Sequence, residues 1–258
     1  MYVSSTNTIY LHLFVNRSDH YVIKSEDGGE NWSDPVNLGI APEGVNDAGP
    51  APGHAIISSE GRIIVPGMHV KYGNCQKGHE RTWGSHLIYS DDDGESWCLG
   101  KVFEPISNEC IVTETFNGSI LSILRSNRHE DKKNYNLISY SNDGGISSTN
   151  PTYHKDLKTP ICQVSVLQFE GEINGISKKL LLHSGPNSSS KREKMTIKLS
   201  EDNGRSWGKP KLLFKGRSGY SDLVAIDSDT LGCFFEMGRY HYRESITFVQ
   251  FDLSWLLS

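Results

Sequence analysis

Short apolar runs alternate with polar turn sequences along the whole chain. Four of these runs, at residues 21–23, 86–89, 137–140 and 195–199, are each followed by the same kind of turn. Further runs lie at residues 10–15, 63–70, 119–126, 161–169 and 179–183. Short apolar runs bounded by Gly, Asn, Asp and Ser predict β-strands that are joined by hairpins. The pattern therefore predicts an all-β fold.

The repeated turn has the spacing Ser-x-Asp-x-Gly-x-x-Trp. It occurs at residues 25–32, 90–97 and 200–207, and a fourth copy at 141–148 has Ser148 in place of the Trp. The Asp can accept backbone N–H groups, the Gly can adopt positive φ, and the Trp can fold back over the hairpin. Copies at intervals of about 50–65 residues indicate a repeat, and each interval fits one four-stranded sheet. Such sheets arranged radially make a β-propeller.

These turns resemble the Asp-boxes of the sialidase (neuraminidase) superfamily, whose fold is a six-bladed β-propeller. The resemblance implies one sialidase propeller domain over residues 1–258, with about five blades present and the opening blade absent. The boxes alone do not give a function, because other propellers carry them far from any active site. Without its Trp, the third box is expected to be the least protected from hydrogen exchange.

Composition narrows the possible partners. The chain has 258 residues, of which 36% are hydrophobic and 10% aromatic, and this content suffices for a core. The net charge of −5 argues against nucleic acid or anionic membrane as the main partner. No apolar run reaches 18 residues, so no transmembrane segment is expected. The five cysteines lack metal-ligand spacing, as do His69, His79 and His86, so no metal or other cofactor is expected. The oligomeric state stays open.

Glu109 and Arg125 flank an Asn117-Gly118 hairpin turn at similar distances along the chain, so both are expected at the same rim of a sheet. Such a pair is usually a surface ion pair. The surrounding sequence at residues 109–126, however, resembles the sialidase hairpin that supplies a catalytic Glu and the second substrate-binding Arg.

The resemblance also implies a nucleophile. Residues 218–223 (SGYSDL) resemble the sialidase nucleophile loop, which would make Tyr220 the nucleophile and Glu109 its base. A neutral Tyr hydroxyl avoids the repulsion that a carboxylate would meet at the sialoside, which carries its own carboxylate on the anomeric carbon. Because a phenol ordinarily has a pKa near 10, it needs an adjacent base.

Two more positions match the family. Arg192 stands just before a box strand, where the third substrate-binding Arg is expected, although Lys191 and Lys194 are nearby rivals. Glu236 ends an apolar strand and matches a buried Glu that orients the first Arg, which is expected to be missing here. The segment at 238–246 most resembles lysosomal animal sialidases, with related bacterial enzymes next.

Residues 42–54 (PEGVNDAGPAPGH) predict an exposed loop because they are rich in Gly and Pro. The end of this loop resembles the sialidase segment that lines the substrate pocket. Its acids, Glu43 and Asp47, are read as solvated charges, with replacement of a missing catalytic acid as the other interpretation.

The resemblance implies an exo-α-sialidase, a retaining glycoside hydrolase that removes terminal sialic acid from glycoproteins, glycolipids or oligosaccharides, as in ganglioside and oligosaccharide catabolism. The sialylated glycan is the expected partner. In the family the first Arg and the Asp general acid lie upstream of where this sequence begins, so the chain alone is expected to be at best a very poor sialidase. The alternatives are an inactive carbohydrate-binding propeller and, less expected, a protein-binding Asp-box propeller. A lysosomal or other secretory-pathway location is favoured by the resemblance, and a cytoplasmic one stays open.

Overall fold

The computed structural model describes residues 1–16, 18–45, 47–72, 81–103, 107–127, 134–173 and 176–258. Within these ranges the chain forms antiparallel β-strands in four sheets and one short helix, α1 (Leu253–Leu257). The helix has five residues, so no helix in the described ranges is long and apolar enough to cross a membrane. His79 lies outside the described residues.

Each sheet is built from strands that follow one another in the sequence. The first contains β1 (Tyr2–Val3), β2 (Thr8–Val15), β3 (Asp19–Ser25) and β4 (Val36–Asn37). The second contains β5 (Asp47–Pro50), β6 (Ile56–Ile57), β7 (Ile63–Tyr72), β8 (Arg81–Ser90) and β9 (Cys98–Phe103). The third contains β10 (Ser107–Glu114), β11 (Ile120–Ser126), β12 (Tyr135–Ser141) and β13 (Thr152–Lys158).

The fourth sheet has six strands, β14 (Ser165–Ile173), β15 (Ile176–Pro186), β16 (Glu193–Ser200), β17 (Lys211–Ala225), β18 (Thr230–Gly238) and β19 (Ser245–Asp252). The first part of β17 pairs with β16 as far as Arg217, and the second part pairs with β18 from Arg217 onward. Register shifts in both pairings allow the sheet to bend. Met195 of β16 and Phe235 of β18 consequently share one buried core.

Hydrophobic cores lie between consecutive sheets. Tyr10 of the first sheet packs in one cluster with Ile88 of the second, and Leu87 of the second in another with Leu124 of the third. A third cluster joins the third and fourth sheets. This succession is a propeller arrangement of four sheets, and the predicted all-β fold is confirmed.

The Asp-box turns follow the ends of β3, β8, β12 and β16. In the second box, Ser90 Oγ donates to Asp92 Oδ1 at 2.7 Å, and the backbone N–H groups of Gly94 and Ser96 donate to Ser90 Oγ and Asp92 Oδ1. Hydrogen bonds from the Ser96 hydroxyl and backbone, and from Ser90, lower the pKa of Asp92 to about 2. The turn is therefore closed by contacts within eight residues of sequence, which explains why its sequence alone predicts it.

The Trp of the box is buried only where a neighbouring element covers it. Trp207 is 6% exposed beside His183, and Trp97 is half-buried against Tyr10 of the neighbouring sheet. Trp32 is 40% exposed, and its Nε1 donates only to the carbonyl of Gly29 in its own turn. The Trp of the first box therefore folds back over its own turn, as the sequence predicts, but no neighbouring sheet buries it.

Hydrogen exchange should divide the four boxes into two classes. Amides of residues 25–32 and 141–148 are expected to exchange at least about tenfold faster than those of 90–97 and 200–207, because the Trp of the first box is exposed and the third box has none. In the third box, Ser139 Oγ donates to Ser148 Oγ at 3.0 Å. This single hydrogen bond compensates for little of the apolar contact that a Trp would make at position 148. Exchange followed by mass spectrometry measures this, and equal protection at 141–148 and 200–207 would contradict it.

The segment at 42–54 is not the exposed loop that its Gly and Pro content predicts. It contains β5, and Ala48 and Ala51 are buried. A Cβ on Gly49 would lie 2.2 Å from Cδ2 of Phe14, so the ring packs directly against the backbone. Only Gly permits this approach, which is a tertiary requirement and not a turn signal.

Candidate active site

Glu109 and Arg125 come from adjacent strands, β10 and β11, near the rim opposite the Asp-box turns. Arg125 Nη1 donates to Glu109 Oε2 at 2.6 Å. The side chains are 18% and 8% exposed, respectively, so this is a largely buried ion pair and not the surface pair that hairpins usually carry.

Tyr220 of β17 completes this group from across the fold. Its hydroxyl donates to Glu109 Oε1 and accepts from Arg125 Nη1 at 3.0 Å. Burial, followed by the charge of Glu109, raises the pKa of Tyr220 against the opposing effect of Arg125. Burial alone would lower the pKa of Arg125. The nearby Glu109 and Tyr220 together have a larger effect in the opposite direction, so the pKa of Arg125 is raised. The phenol therefore keeps its proton and directs it to Glu109.

The backbone around Tyr220 is a bulged strand held by side chains. The pairing of β17 with β18 shifts between Ser218 and Ser221. Tyr220 N donates to Glu236 Oε2 at 3.0 Å, and Ser221 exchanges two 3.0 Å hydrogen bonds with the side-chain amide of Gln163. These side chains satisfy the groups that the sheet ladder leaves unpaired. The loop expected at residues 218–223 is thus part of a strand.

Glu236 has a different partner from the one expected. It is half-buried and binds the backbone of Tyr220, so it is not left without a partner. A Cβ on Gly219 would lie 2.1 Å from Glu236 Oε2 and 2.8 Å from Cδ2 of Tyr242. Gly219 is therefore required for the carboxylate to reach Tyr220.

Arg192 lies immediately before β16, with its guanidinium between two tyrosine rings. Its Cζ is 5.3 Å from the ring centroid of Tyr220 and 4.8 Å from that of Tyr242. Its Nη2 donates to the carbonyl of Ile161 at 3.3 Å. Ile161 has a φ of 57°, a conformation that a β-branched residue rarely adopts and that functional sites often contain.

Two guanidinium donors in this group have no acceptor. Arg125 Nε and Arg192 Nη1 are buried and form no hydrogen bond with any described residue. Buried donors are normally paired, and Arg groups bind carboxylates strongly. The arrangement can therefore hold an anion beside the hydroxyl of Tyr220. Lys191 and Lys194, the rivals of Arg192, are exposed.

A cavity of about 300 Å³ opens beside Tyr220. Pro52, Gly53 and Gln163 line it, together with Asp222 and Glu236. Asp222 Oδ1 accepts from Ser165 Oγ at 2.9 Å and lies 2.6 Å from His54 Nδ1. The acids singled out in the sequence lie elsewhere, since Glu43 is exposed and Asp47 accepts a hydrogen bond from the hydroxyl of Tyr72.

Cys162 is the other potential nucleophile near the two arginines. It is fully buried, and burial raises its pKa to about 12, although Arg192 and Arg125 act in the opposite direction. A thiol in this state is not reactive. Cys98, Cys110, Cys162 and Cys233 are free, and no group of three or more His, Cys, Asp or Glu in the described ranges could hold a metal.

Gln163 and Tyr242 contribute to the site, yet the sequence did not single them out. Gln163 is a polar residue inside an apolar run, which is a usable signal for a buried hydrogen-bonding role. Tyr242 lies in the segment 238–246, which resembles lysosomal animal sialidases but predicts no role for this residue. Its contact with Arg192 spans 50 positions and leaves no local pattern.

Comparison with known proteins gives a consistent family. The family described as BNR repeat-like domain matches residues 3–233. A sialidase from Bacteroides fragilis is 29% identical over 227 residues, covering 84% of this chain and 39% of its own length. Sialidase-3 of Bos taurus is 28% identical over 283 residues, covering 92% of this chain and 66% of its own length.

Among solved structures, the Hadza microbial sialidase Hz136 superposes with a TM-score of 0.82 at 25% identity. The match covers 97% of this chain and 51% of that one. The chain thus spans about half the length of this relative, and between 39% and 66% of the two curated ones.

Proposed function

Because the chain belongs to the BNR repeat-like family within the sialidase superfamily, we propose that its site acts on sialylated glycans as an exo-α-sialidase. The observation that carries this proposal is the hydrogen bond from the Tyr220 hydroxyl to Glu109, formed next to two buried guanidinium groups with free donors.

Substrate binding would use those donors. The carboxylate of a terminal sialic acid would accept from the guanidinium groups of Arg125 and Arg192, each of which has a donor with no acceptor among the described residues. The anomeric carbon, which bears this carboxylate, would then lie near the Tyr220 hydroxyl. Tyr242 and the carbonyl of Ile161 hold Arg192 in place for this contact.

The chemistry follows from the Tyr220–Glu109 pair. The Tyr220 oxygen attacks the anomeric carbon as its proton passes to Glu109, and the bond to the leaving oxygen breaks, with that oxygen taking a proton from a general acid. Water then attacks the anomeric carbon of the glycosyl-tyrosine and gives a proton to the general acid, which lost its own in the first step. The bond to Tyr220 breaks, and Glu109 returns its proton to the phenolate oxygen. Two displacements at one carbon retain its configuration.

The candidate site supplies a nucleophile, a base and groups that bind a carboxylate, but none of its five residues has the role of general acid. These residues are Tyr220, Glu109, Arg125, Arg192 and Glu236. Loss of a general acid costs about 10²–10⁴-fold in rate. We therefore also propose that this chain by itself is impaired on natural glycans, whose leaving groups are poor.

The propeller of the complete fold would have six blades. Residues 1–258 would form one domain with about five of them, if the fourth sheet is counted as two blades that meet at the bend in β17. Support comes from the buried core in which β16 packs against β18 within that sheet.

An inactive sialic-acid-binding propeller is the second candidate, because a protein can bind the carboxylate of sialic acid through its Arg groups without catalysing a reaction. Covalent labelling separates the two. A 2,3-difluorinated sialic acid carries fluoride as its leaving group and needs no general acid, and its glycosyl-enzyme hydrolyses slowly. Mass spectrometry of the digested protein is expected to find the sugar on Tyr220.

Tyr220→Phe should abolish this labelling, and Glu109→Gln should slow it by about 10²-fold or more. Tyr240→Phe is the matched control, because this tyrosine is 74% exposed and should label normally. Labelling of another residue, or none in the presence of saturable binding, would contradict the catalytic proposal. The second result would favour the binding propeller.

A further inference from the structure

A second cavity, of about 470 Å³, is lined in part by Lys191 and Glu193, the two residues that flank Arg192 in the chain. It opens between the start of β16, the middle of β17 and the end of β18. Its lining residues are Lys191, Glu193, Phe214, Arg217, Met237 and Arg239, with two glycines. The proposed reaction uses none of them.

Positive charge dominates this cavity. Lys191, Arg217 and Arg239 are exposed, and Glu193 is the single acid in the lining. None of the three cations forms an ion pair with another described residue. The whole chain has a net charge of −5, so the positive field is local to the cavity and extends about 8–10 Å at physiological ionic strength.

The cavity and the candidate active site are built from neighbouring segments of the chain. Lys191 precedes Arg192 in the chain, and Arg239 begins the loop whose Tyr242 stacks on Arg192. The carboxylate of Glu244 fixes that loop by accepting from the backbone N–H groups of Arg239, Tyr240 and His241 at 2.7–2.9 Å. The position of Arg239 is therefore set by the same loop that holds Arg192.

We propose that this cavity binds a second acidic group of the glycan, on the sugar next to the terminal sialic acid. Lys and Arg side chains recognise carboxylates and sulfate esters, and Phe214 and Met237 offer apolar contact to the carbon face of a sugar ring. The proposal rests on the proposed function, since it requires the terminal sialic acid to lie at Arg125 and Arg192.

Binding titrations test the proposal with three ligands: sialyllactose, an α2,8-linked disialyllactose, and a sialyllactose sulfated on the adjacent sugar. The native chain is expected to bind at least one diacidic ligand about five- to tenfold more tightly than sialyllactose at low salt. The preferred ligand identifies carboxylate or sulfate as the group bound. The preference should shrink at about 0.5 M salt, where charges are screened over a few ångströms.

The double variant Arg217→Gln/Arg239→Gln should lose this preference while its affinity for sialyllactose stays within about twofold. Arg205→Gln, which removes an exposed Arg from the fourth Asp-box, is the control and should keep the preference. Equal affinities for all three ligands, or a preference that survives in the double variant, would overturn the proposal.

Failure of the proposed function gives a different result. It would appear as no binding of sialyllactose, or as binding that Arg125→Ala leaves unchanged. The cavity would still be an anion site if the native chain bound the diacidic ligands and the double variant Arg217→Gln/Arg239→Gln did not. No binding of any ligand would overturn both proposals.

Discussion

Acidification from pH 7 to about 4.5 is expected to lower the free energy of unfolding by several kcal/mol. Burial is the main cause that lowers the pKa of His12, His86 and His183 to about 3 and that of His20 to about 4. An unfolded chain protonates these rings near pH 6.5, whereas the folded chain keeps them neutral. Stability is therefore full above pH 6.5 and falls as the pH drops towards about 3, because the unfolded state binds more protons over this range.

The geometry explains why these rings resist protonation. His12 Nδ1 lies 2.9 Å from His20 Nε2, and His69 Nδ1 lies 3.2 Å from His86 Nδ1, so a second charge in either pair would face the first. His183 is fully buried, and neither of its ring nitrogens has a hydrogen-bond partner among the described residues. At pH 4.5 each such histidine destabilises the fold by up to about 2–3 kcal/mol.

Urea denaturation at the two pH values measures the effect. Replacing His183 with Leu should reduce the pH-dependent loss by about 2–3 kcal/mol relative to the native chain. An equal loss in the His183 variant and the native chain would contradict the argument.

Features that depend on nearby residues could be predicted from the sequence. The Asp-box is closed by bonds such as that between Ser90 and Asp92, and its spacing therefore identifies it directly. Glu109 and Arg125 could be placed together because an Asn-Gly turn fixes which residues lie opposite each other. The bond between Tyr220 and Glu109 joins residues 111 positions apart, and only the resemblance to sialidases suggested it.

Features that depend on distant packing could not be predicted. The same Trp position is covered at Trp207 and open at Trp32, because the cover comes from other elements. Gly49 looks like a loop residue, but it serves the approach of the Phe14 ring. The bulge at Tyr220 looks like a loop because the groups that satisfy it come from other segments of the chain: Glu236 is 16 positions from Tyr220, and Gln163 is 58 positions from Ser221.

The ion pair of the candidate site should be a major contributor to stability. Arg125→Ala is expected to lower the free energy of unfolding by about 3–5 kcal/mol, because it leaves the carboxylate of Glu109 buried without its cation. Lys178→Ala is the matched control. Its pair with Glu201 spans 3.8 Å between exposed side chains and should contribute about 0–1 kcal/mol.

A second substitution separates loss of the pair from loss of packing. In Arg125→Ala/Glu109→Gln no charge is left buried, so the double variant should recover part of the loss, and the two changes should be non-additive. Urea denaturation at pH 7 measures five proteins: the native chain, Arg125→Ala, Glu109→Gln, the double variant and the control Lys178→Ala. If Arg125→Ala lowers the free energy of unfolding no more than Lys178→Ala does, the ion pair is more solvated than the 18% and 8% exposure of Arg125 and Glu109 indicates. Arg125 would then bind an incoming carboxylate only weakly. If the double variant shows additive losses, Arg125 stabilises the fold through packing of its side chain, and the charge of Glu109 is tolerated without it.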